Sequence, residues 1–213
     1  MKTLLSELKT SVLMTLLLAV LVCGLYPLVI WGAGQVLFHE KANGSLITDR
    51  DGTVRGSTLL AQNFLAEKYF QPRPSAAGSG FDAANSSGTN LGPTSDKLAN
   101  GTHARNAAGQ SVNDPGNFDG IKDLVAAYRA ANGLKETDLV PADAVTRSGS
   151  GLDPHVSVAN AEIQAIRVAR ARHLPLEMVR ELVARFTDRR SLGIFGEPGV
   201  NVLELNRALD AAP

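Results

Sequence analysis

The chain has 213 residues and a mass of 22.5 kDa; 44% of residues are hydrophobic, 20% charged and 5% aromatic. Lys plus Arg and Asp plus Glu each number 21, giving zero net charge and a pI near 6.9, which argues against a nucleic-acid binder. The single cysteine, Cys23, excludes an intrachain disulfide and a cysteine-based zinc site, and the four histidines show no metal-ligand spacing.

The first element in chain order is apolar. Ser11 to Trp31 carries no charge. About 20 helical residues cross the roughly 30 Å hydrocarbon core of a bilayer. Tyr26 and Trp31 near the far end suit the membrane interface. A cleaved signal peptide is the competing reading, but its apolar region is shorter and Gly32-Ala33-Gly34 makes a poor cleavage site. Lys2 and Lys9 precede the segment, and Lys41 and Arg50 follow it. That slight bias puts residues 1–10 inside as a cytoplasmic tail. Residues 11–37 then form a single-pass anchor, and 38–213 form an outer domain of ordinary size.

Asp49-Arg50-Asp51-Gly52 is a turn signal between Leu46-Ile47 and Thr53-Val54, which predicts a hairpin. Ser57 is expected to cap a short helix carrying Leu59, Leu60 and Phe64. Pro72-Arg73-Pro74-Ser75 must be extended. Residues 76–117 are rich in Gly, Ser and Asn, and no regular structure is assigned to them. Ile121, Leu124, Val125 and Tyr128 recur at helical spacing, and Gly133 stops that helix. Residues flanking Pro141 (Leu139-Val140, Ala144-Val145) suggest a short extended piece at a sheet edge. Ser157 is a good N-cap for a helix with Ile163, Ile166 and Val168. Arg167, Arg170 and Arg172 read as its solvated, dipole-opposing end. Pro175 opens another helix with Leu176, Val179, Leu182, Val183 and Phe186 on one face. Asn201 with Glu204 fits a capping box ahead of Leu205 and Leu209. The expected fold class is α+β: one amino-terminal transmembrane helix, then one mixed, helix-rich soluble domain with short strands.

Ser148, Ser150, Asp153 and His155 form the main constellation. As a membrane-anchored serine hydrolase the chain would use Ser150 and His155, yet triad members come from separate elements, and the G-x-S-x-G spacing is missing. As a phosphate cradle the loop lacks the lysine of a P-loop. The plainer reading is a tight loop whose serines and Asp153 cap nearby backbone groups. An exported ligand-binding module is a further alternative, but no carboxylates cluster as a potassium or calcium cage. No residue is assigned as catalytic or as a metal ligand.

Several blocks together resemble a known family. They are Ala42-Asn43-Gly44-Ser45-Leu46-Ile47, Tyr69-Phe70, Arg73-Pro74-Ser75-Ala76, Ser86 to Pro93, Val145 to His155, Gln164 with Arg167, and Gly196-Glu197-Pro198 with Val200 to Asn206. In order and number these are similar to the C subunit of the Kdp-type potassium-transporting P-type ATPase. Gly199 stands where that family often has Arg or Val, and Arg147 where a small residue is usual.

The resemblance implies a non-catalytic accessory subunit in a bacterial inner membrane. It would stabilise assembly and act as a catalytic chaperone that raises the ATP affinity of the ATPase subunit. Implied partners are a channel-like potassium-binding subunit, the P-type ATPase subunit and a small membrane peptide. Ser148, Gly149, Ser150, Gly151, Leu152 and Asp153 resemble a transporter signature associated with nucleotide contact. Candidate partner-interface residues are Arg73, Pro74, Ser75, Asn90, Gln164, Arg167, Glu197, Asn201 and Asn206. No cofactor is expected to bind tightly, ATP being reached through the ATPase subunit. An outer loop cannot touch cytoplasmic ATP across about 30 Å of hydrocarbon. The expectation is therefore a structural cap on the potassium-binding subunit, with any effect on ATP affinity transmitted through membrane helices.

Overall fold

The computed structural model describes residues 2–49, 51–104 and 116–211. The chain forms two compact units, residues 1–57 and 58–213.

The first unit is dominated by an apolar helix, Thr3–Leu37, long and apolar enough to cross a membrane. It comprises α1 (Lys2–Leu18), a π-helical stretch (Ala19–Leu25) and α2 (Tyr26–Leu37). Pro27 has no N–H to return to the preceding turn, and just before it the Tyr26 N–H reaches back five residues to the Leu21 carbonyl. A one-turn α3 (His39–Ala42) leads to β1 (Leu46–Thr48) and β2 (Val54–Ser57), the antiparallel hairpin foreseen from its turn residues. Thr48 pairs with Val54, and after a bulge between Ile47 and Thr48 the register moves on by one residue, so that Ile47 pairs with Gly56 and Leu46 with Ser57 rather than with Thr53-Val54 as expected.

In the second unit the remaining elements are α4 (Asp96–Asn100), α5 (Ile121–Asn132), α6 (Ala142–Val145), β3 (His155–Ser157), α7 (Val158–Arg172), α8 (Leu176–Arg185), β4 (Thr187–Asp188), β5 (Gly199–Asn201) and α9 (Val202–Asp210). β3, β5 and β4 form one antiparallel sheet in that order. Local chemistry explains the helix ends. Ser157 Oγ accepts the Asn160 N–H and Asn201 Oδ1 the Glu204 N–H, both at 3.1 Å, and Gly133 ends α5 at φ 67°. α7 buries Ala161, Ala165, Val168 and Ala169, small residues that let α8 approach with Val179 and Val183. Val156, Val200, Val202, Leu205, Leu209 and Phe70 complete this core, and Tyr128, Ala144 and Val145 centre a second cluster under α5.

Two expectations fail. No helix follows Ser57: that residue ends β2 and its hydroxyl donates to the Gly44 carbonyl at 2.7 Å, while Leu59 is exposed and gives no apolar stripe. The piece around Pro141 is not extended throughout. Pro141 supplies the φ of −57° that starts α6, and Thr146 Oγ1 closes it on the Ala142 carbonyl. The long loop over 76–117 carries α4 and a bridge pairing Thr102 with Phe118; residues 105–115 of that loop lie outside the described residues.

Candidate functional site

Several of the blocks singled out in the sequence, all within the second unit, meet around one extended segment. Phe70 is fully buried and opens a run through Ser75 in which Pro72 and Pro74 cannot donate to a sheet ladder. Two amide side chains stand in for a neighbouring strand. Asn206 on α9 accepts the Phe70 N–H at 2.8 Å and donates to the Phe70 carbonyl at 2.9 Å. Gln164 on α7 accepts the Gln71 N–H at 2.7 Å and donates to the Gln71 carbonyl at 3.0 Å. Each brace satisfies backbone groups that burial would otherwise leave unpaired.

Arg167 holds the same segment from beneath. It is only 3% exposed, so it is not part of the solvated helix end expected for the arginine run. Its guanidinium donates to the carbonyls of Glu67 and Tyr69, to Gln164 Oε1 at 2.9 Å and to Asn132 Oδ1 at 3.0 Å. These four acceptors are neutral, and burial pulls the guanidinium below its usual value. Further along the network, Tyr128 donates to Asn160 Oδ1 at 2.8 Å, and Asn160 donates to Asp143 at 2.9 Å. Burial, helped by the Asp143 charge, pushes the Tyr128 phenol upward. Asn132, Asp143 and Asn160 were not singled out from sequence, and Tyr128 only as part of an apolar stripe, since their partners here lie 14 to 35 residues away.

The Ser148–His155 loop is clasped by the segments around it. Three consecutive carbonyls are taken. Ser150 O accepts from Ser87 N at 3.0 Å and Ser86 Oγ at 2.9 Å, Gly151 O from Ser75 Oγ at 2.6 Å, and Leu152 O from Ala61 N at 2.9 Å. Ser75 Oγ in turn accepts the N–H groups of Ala77 and Phe81. Gly151 has φ +68°, and a Cβ there would sit 2.6 Å from the Ser87 carbonyl and 2.7 Å from the Ala77 nitrogen. The loop's own N–H groups turn inward: Gly151 N to Ser148 O, Leu152 N to Ser150 Oγ, and His155 N to Asp153 Oδ1.

Asp153 and His155 end the loop. Arg73 Nη1 donates to Asp153 Oδ2 at 3.0 Å, and its guanidinium also reaches the Thr146 carbonyl. His155 presents Nδ1 to Asp153 at 3.7 Å and Nε2 to Asp188 on β4 at 2.9 Å. The ring passes over Gly199 on the central strand, where a Cβ would lie 3.1 Å from the His155 Cβ. Gly199 thus makes room for a histidine–carboxylate link across β5. With both ring nitrogens facing carboxylates, and Ser150 Oγ taking the Leu152 N–H, the arrangement supports capping rather than a Ser150–His155 proton relay.

The charges at this corner give a pH signature. Asp153 is held down to about 2 by the His155 side chain first, then by the His155 N–H and by Arg73. His155 is raised by Asp153 first and then by Asp188. A lowered carboxylate stabilises fully above its unfolded value near 4 and is lost as pH falls through about 2. A raised histidine stabilises fully below about 6.5 and is lost as pH rises through its folded value. Thermal unfolding of the full chain in detergent should therefore be most resistant between about pH 4 and 6.5. Asp153→Asn should lower that plateau by on the order of 1 kcal/mol, since the group is partly exposed and screened, and the deficit should shrink towards pH 2. An unchanged pH profile in the variant would contradict this.

The other nominated residues divide by burial. Gln164, Arg167, Asn201 and Asn206 are buried in the domain; Arg73, Pro74, Ser75 and Leu152 are buried or half-buried within the clasp. Asn201 also donates to the Thr58 carbonyl at 2.9 Å. Asn90 is exposed, with left-handed backbone at φ 54°, and Glu197 is exposed and paired with Arg190 at 2.7 Å. Neither joins the clasp. Among the described residues, one His/carboxylate group could hold a metal ion: His103, Asp119 and Asp123, with ligand atoms within 4.8 Å of one another. Asp123 already accepts the Gly120 N–H at 2.9 Å and pairs with His103 at 3.0 Å, which caps α5. A groove of about 360 Å³ runs between the Phe64–Leu65 and Pro72–Pro74 segments and the Leu124, Ala127 and Ala131 face of α5.

Comparison with known proteins agrees with the residue blocks. The family described as "K+-transporting ATPase, c chain" matches residues 8–211. A "Potassium-transporting ATPase KdpC subunit" of Mycobacterium bovis (strain BCG / Pasteur 1173P2) is 47% identical over 204 residues, covering 96% of this chain and 97% of that protein. Proteins of the same name from Rhodospirillum rubrum and Koribacter versatilis are 52% identical over 185 residues and 48% identical over 202. They cover 87% and 94% of this chain, and 85% and 92% of their own lengths. An end-to-end match at this identity, together with an amino-terminal membrane-length helix and a mixed domain braced by its own sequence blocks, means that the chain belongs to the family of C subunits of the potassium-transporting ATPase.

Proposed function

We propose that this chain is a non-catalytic accessory subunit of an ATP-driven potassium uptake complex. The anchor over 11–37 crosses the membrane once with its amino terminus inside, and the domain from 38 onward stands outside. There it caps a channel-like potassium-binding subunit and steadies the assembly with the P-type ATPase subunit and a small membrane peptide. The observation that carries this reading is where the blocks point. Arg73–Ala76, Ser86–Ser87, Ser150–Asp153, Gln164–Arg167 and Asn201–Asn206 bind one another or the chain's own backbone. Side chains committed in this way make a rigid support rather than a reacting centre. ATP then has no direct contact with Ser148–Asp153, and any change in the ATPase subunit's ATP affinity is a reciprocal coupling free energy through the membrane helices.

Purification through a carboxy-terminal tag in mild detergent tests the assembly. Two larger membrane proteins should co-elute with vanadate-sensitive, potassium-stimulated ATP hydrolysis. A chain that elutes alone, from cells whose potassium uptake does not need it, would overturn the reading.

A further inference from the structure

The loop between β4 and β5 carries an apolar tip that nothing among the described residues covers. Leu192, Ile194 and Phe195 are 89%, 69% and 62% exposed. The tip is built rather than frayed. Ser191 and Phe195 exchange backbone bonds at 2.8 and 3.0 Å, and Gly193 N returns to Arg190 O at 3.0 Å. Leu192 sits at φ 54°, a left-handed conformation unfavourable for a branched side chain. A turn that holds three large apolar side chains outward, one of them on strained backbone, gains nothing from its own core.

The surroundings narrow the choice of occupant. A stable protein interface buries about 800 Å² per partner around an apolar centre. Here the apolar part ends after four residues, bounded by Arg189, Arg190, Ser191, Gly196 and Glu197. The local acids are already engaged, Asp188 with His155 and Glu197 with Arg190. Among the described residues no carboxylate pairs with Arg189, and the Arg185 guanidinium lies over the Phe186 ring, 5.7 Å from its centroid. A small apolar wedge flanked in the chain by Arg189, which has no carboxylate partner among the described residues, matches the bilayer interface, where acyl chains take the wedge and anionic headgroups take the cation. Such a contact is weak and reversible alone, but a chain that carries its own membrane helix meets the bilayer at high effective concentration.

We infer that the 189–197 tip is a secondary membrane contact: Leu192, Ile194 and Phe195 enter the interfacial layer, and Arg189 binds phosphates of anionic phospholipid. The inference rests on the anchor alone and not on the transport reading.

The test uses the full chain reconstituted in vesicles. Trp31 is the sole tryptophan, so Trp31→Phe followed by Phe195→Trp places one fluorophore at the tip. The control is Leu139→Trp, at a residue 90% exposed elsewhere in the domain. Brominated phospholipids in membranes containing phosphatidylglycerol should quench Phe195→Trp at least about threefold more than the control. Arg189→Glu or high salt should bring it down towards the control. Equal quenching at the two positions overturns the proposal. So does a tip that stays unquenched in vesicles yet becomes shielded when the other subunits of the complex are added, which would make the occupant a protein.

Discussion

Arg167→Met should destabilise the soluble domain by about 3 kcal/mol, a fall in melting temperature of roughly 6–12 °C for a domain of this size. The substitution keeps the aliphatic volume and removes the donors. The carbonyls of Glu67 and Tyr69 and Asn132 Oδ1 then lose their partly buried bonds to a shared partner, while Gln164 Oε1 keeps only the Gln71 N–H. Each such orphan costs about 1–3 kcal/mol, and relief from burying a cation offsets only part of the sum. Arg167→Lys should recover little, because one ammonium cannot span four acceptors arranged around a planar fork. Thermal denaturation of the full chain in detergent, followed by circular dichroism, reads the effect. A loss under 0.5 kcal/mol would show that Arg167 is not a brace.

Gly151→Ala should be about as costly, for a different reason. The position lies at φ +68°, and the added Cβ would run into the Ser87 carbonyl and the Ala77 nitrogen, both backbone atoms with little room to yield. Left-handed strain of about 1 kcal/mol and the forced opening of the clasp together give roughly 3 kcal/mol. Gly149→Ala is the internal control, since a Cβ there meets nothing within 4 Å. That neighbour should change stability by no more than about 0.5 kcal/mol. The same measurement checks both. Equal effects at 149 and 151 would mean that the loop is not held by close backbone approach.

What could be read from the sequence was what acts over three or four residues. The Ser157 and Asn201 caps, the Gly133 stop, the α5 stripe and a hairpin turning at Asp49–Gly52 depend on near neighbours, and each stands in the fold, although the second strand runs on to Ser57 and its pairing differs from Leu46-Ile47 against Thr53-Val54. The braces did not show, because they join residues far apart in the chain. Asn206 meets Phe70 across 136 positions and Arg167 meets Glu67 across 100. A lone arginine near a helix end looks the same in sequence whether it opposes a dipole or enters the interior. The strands β3, β4 and β5 are two or three residues each, too short for alternation to register. Gly199 was visible as a departure from the family's usual residue. Its consequence, room for His155 to reach Asp188, needed the sheet order β3-β5-β4.

The assembly reading and the clasp meet in one question: whether the Ser148–Asp153 loop is an internal support or a nucleotide contact. Hydrogen–deuterium exchange on the purified complex, with and without a non-hydrolysable ATP analogue, tests this most directly. The expected result is slow exchange at Gly151 and Leu152, comparable to the core of α7, with no change when nucleotide fills the ATPase subunit. Fast exchange at the loop without nucleotide, and protection that appears only when nucleotide is added, would contradict it.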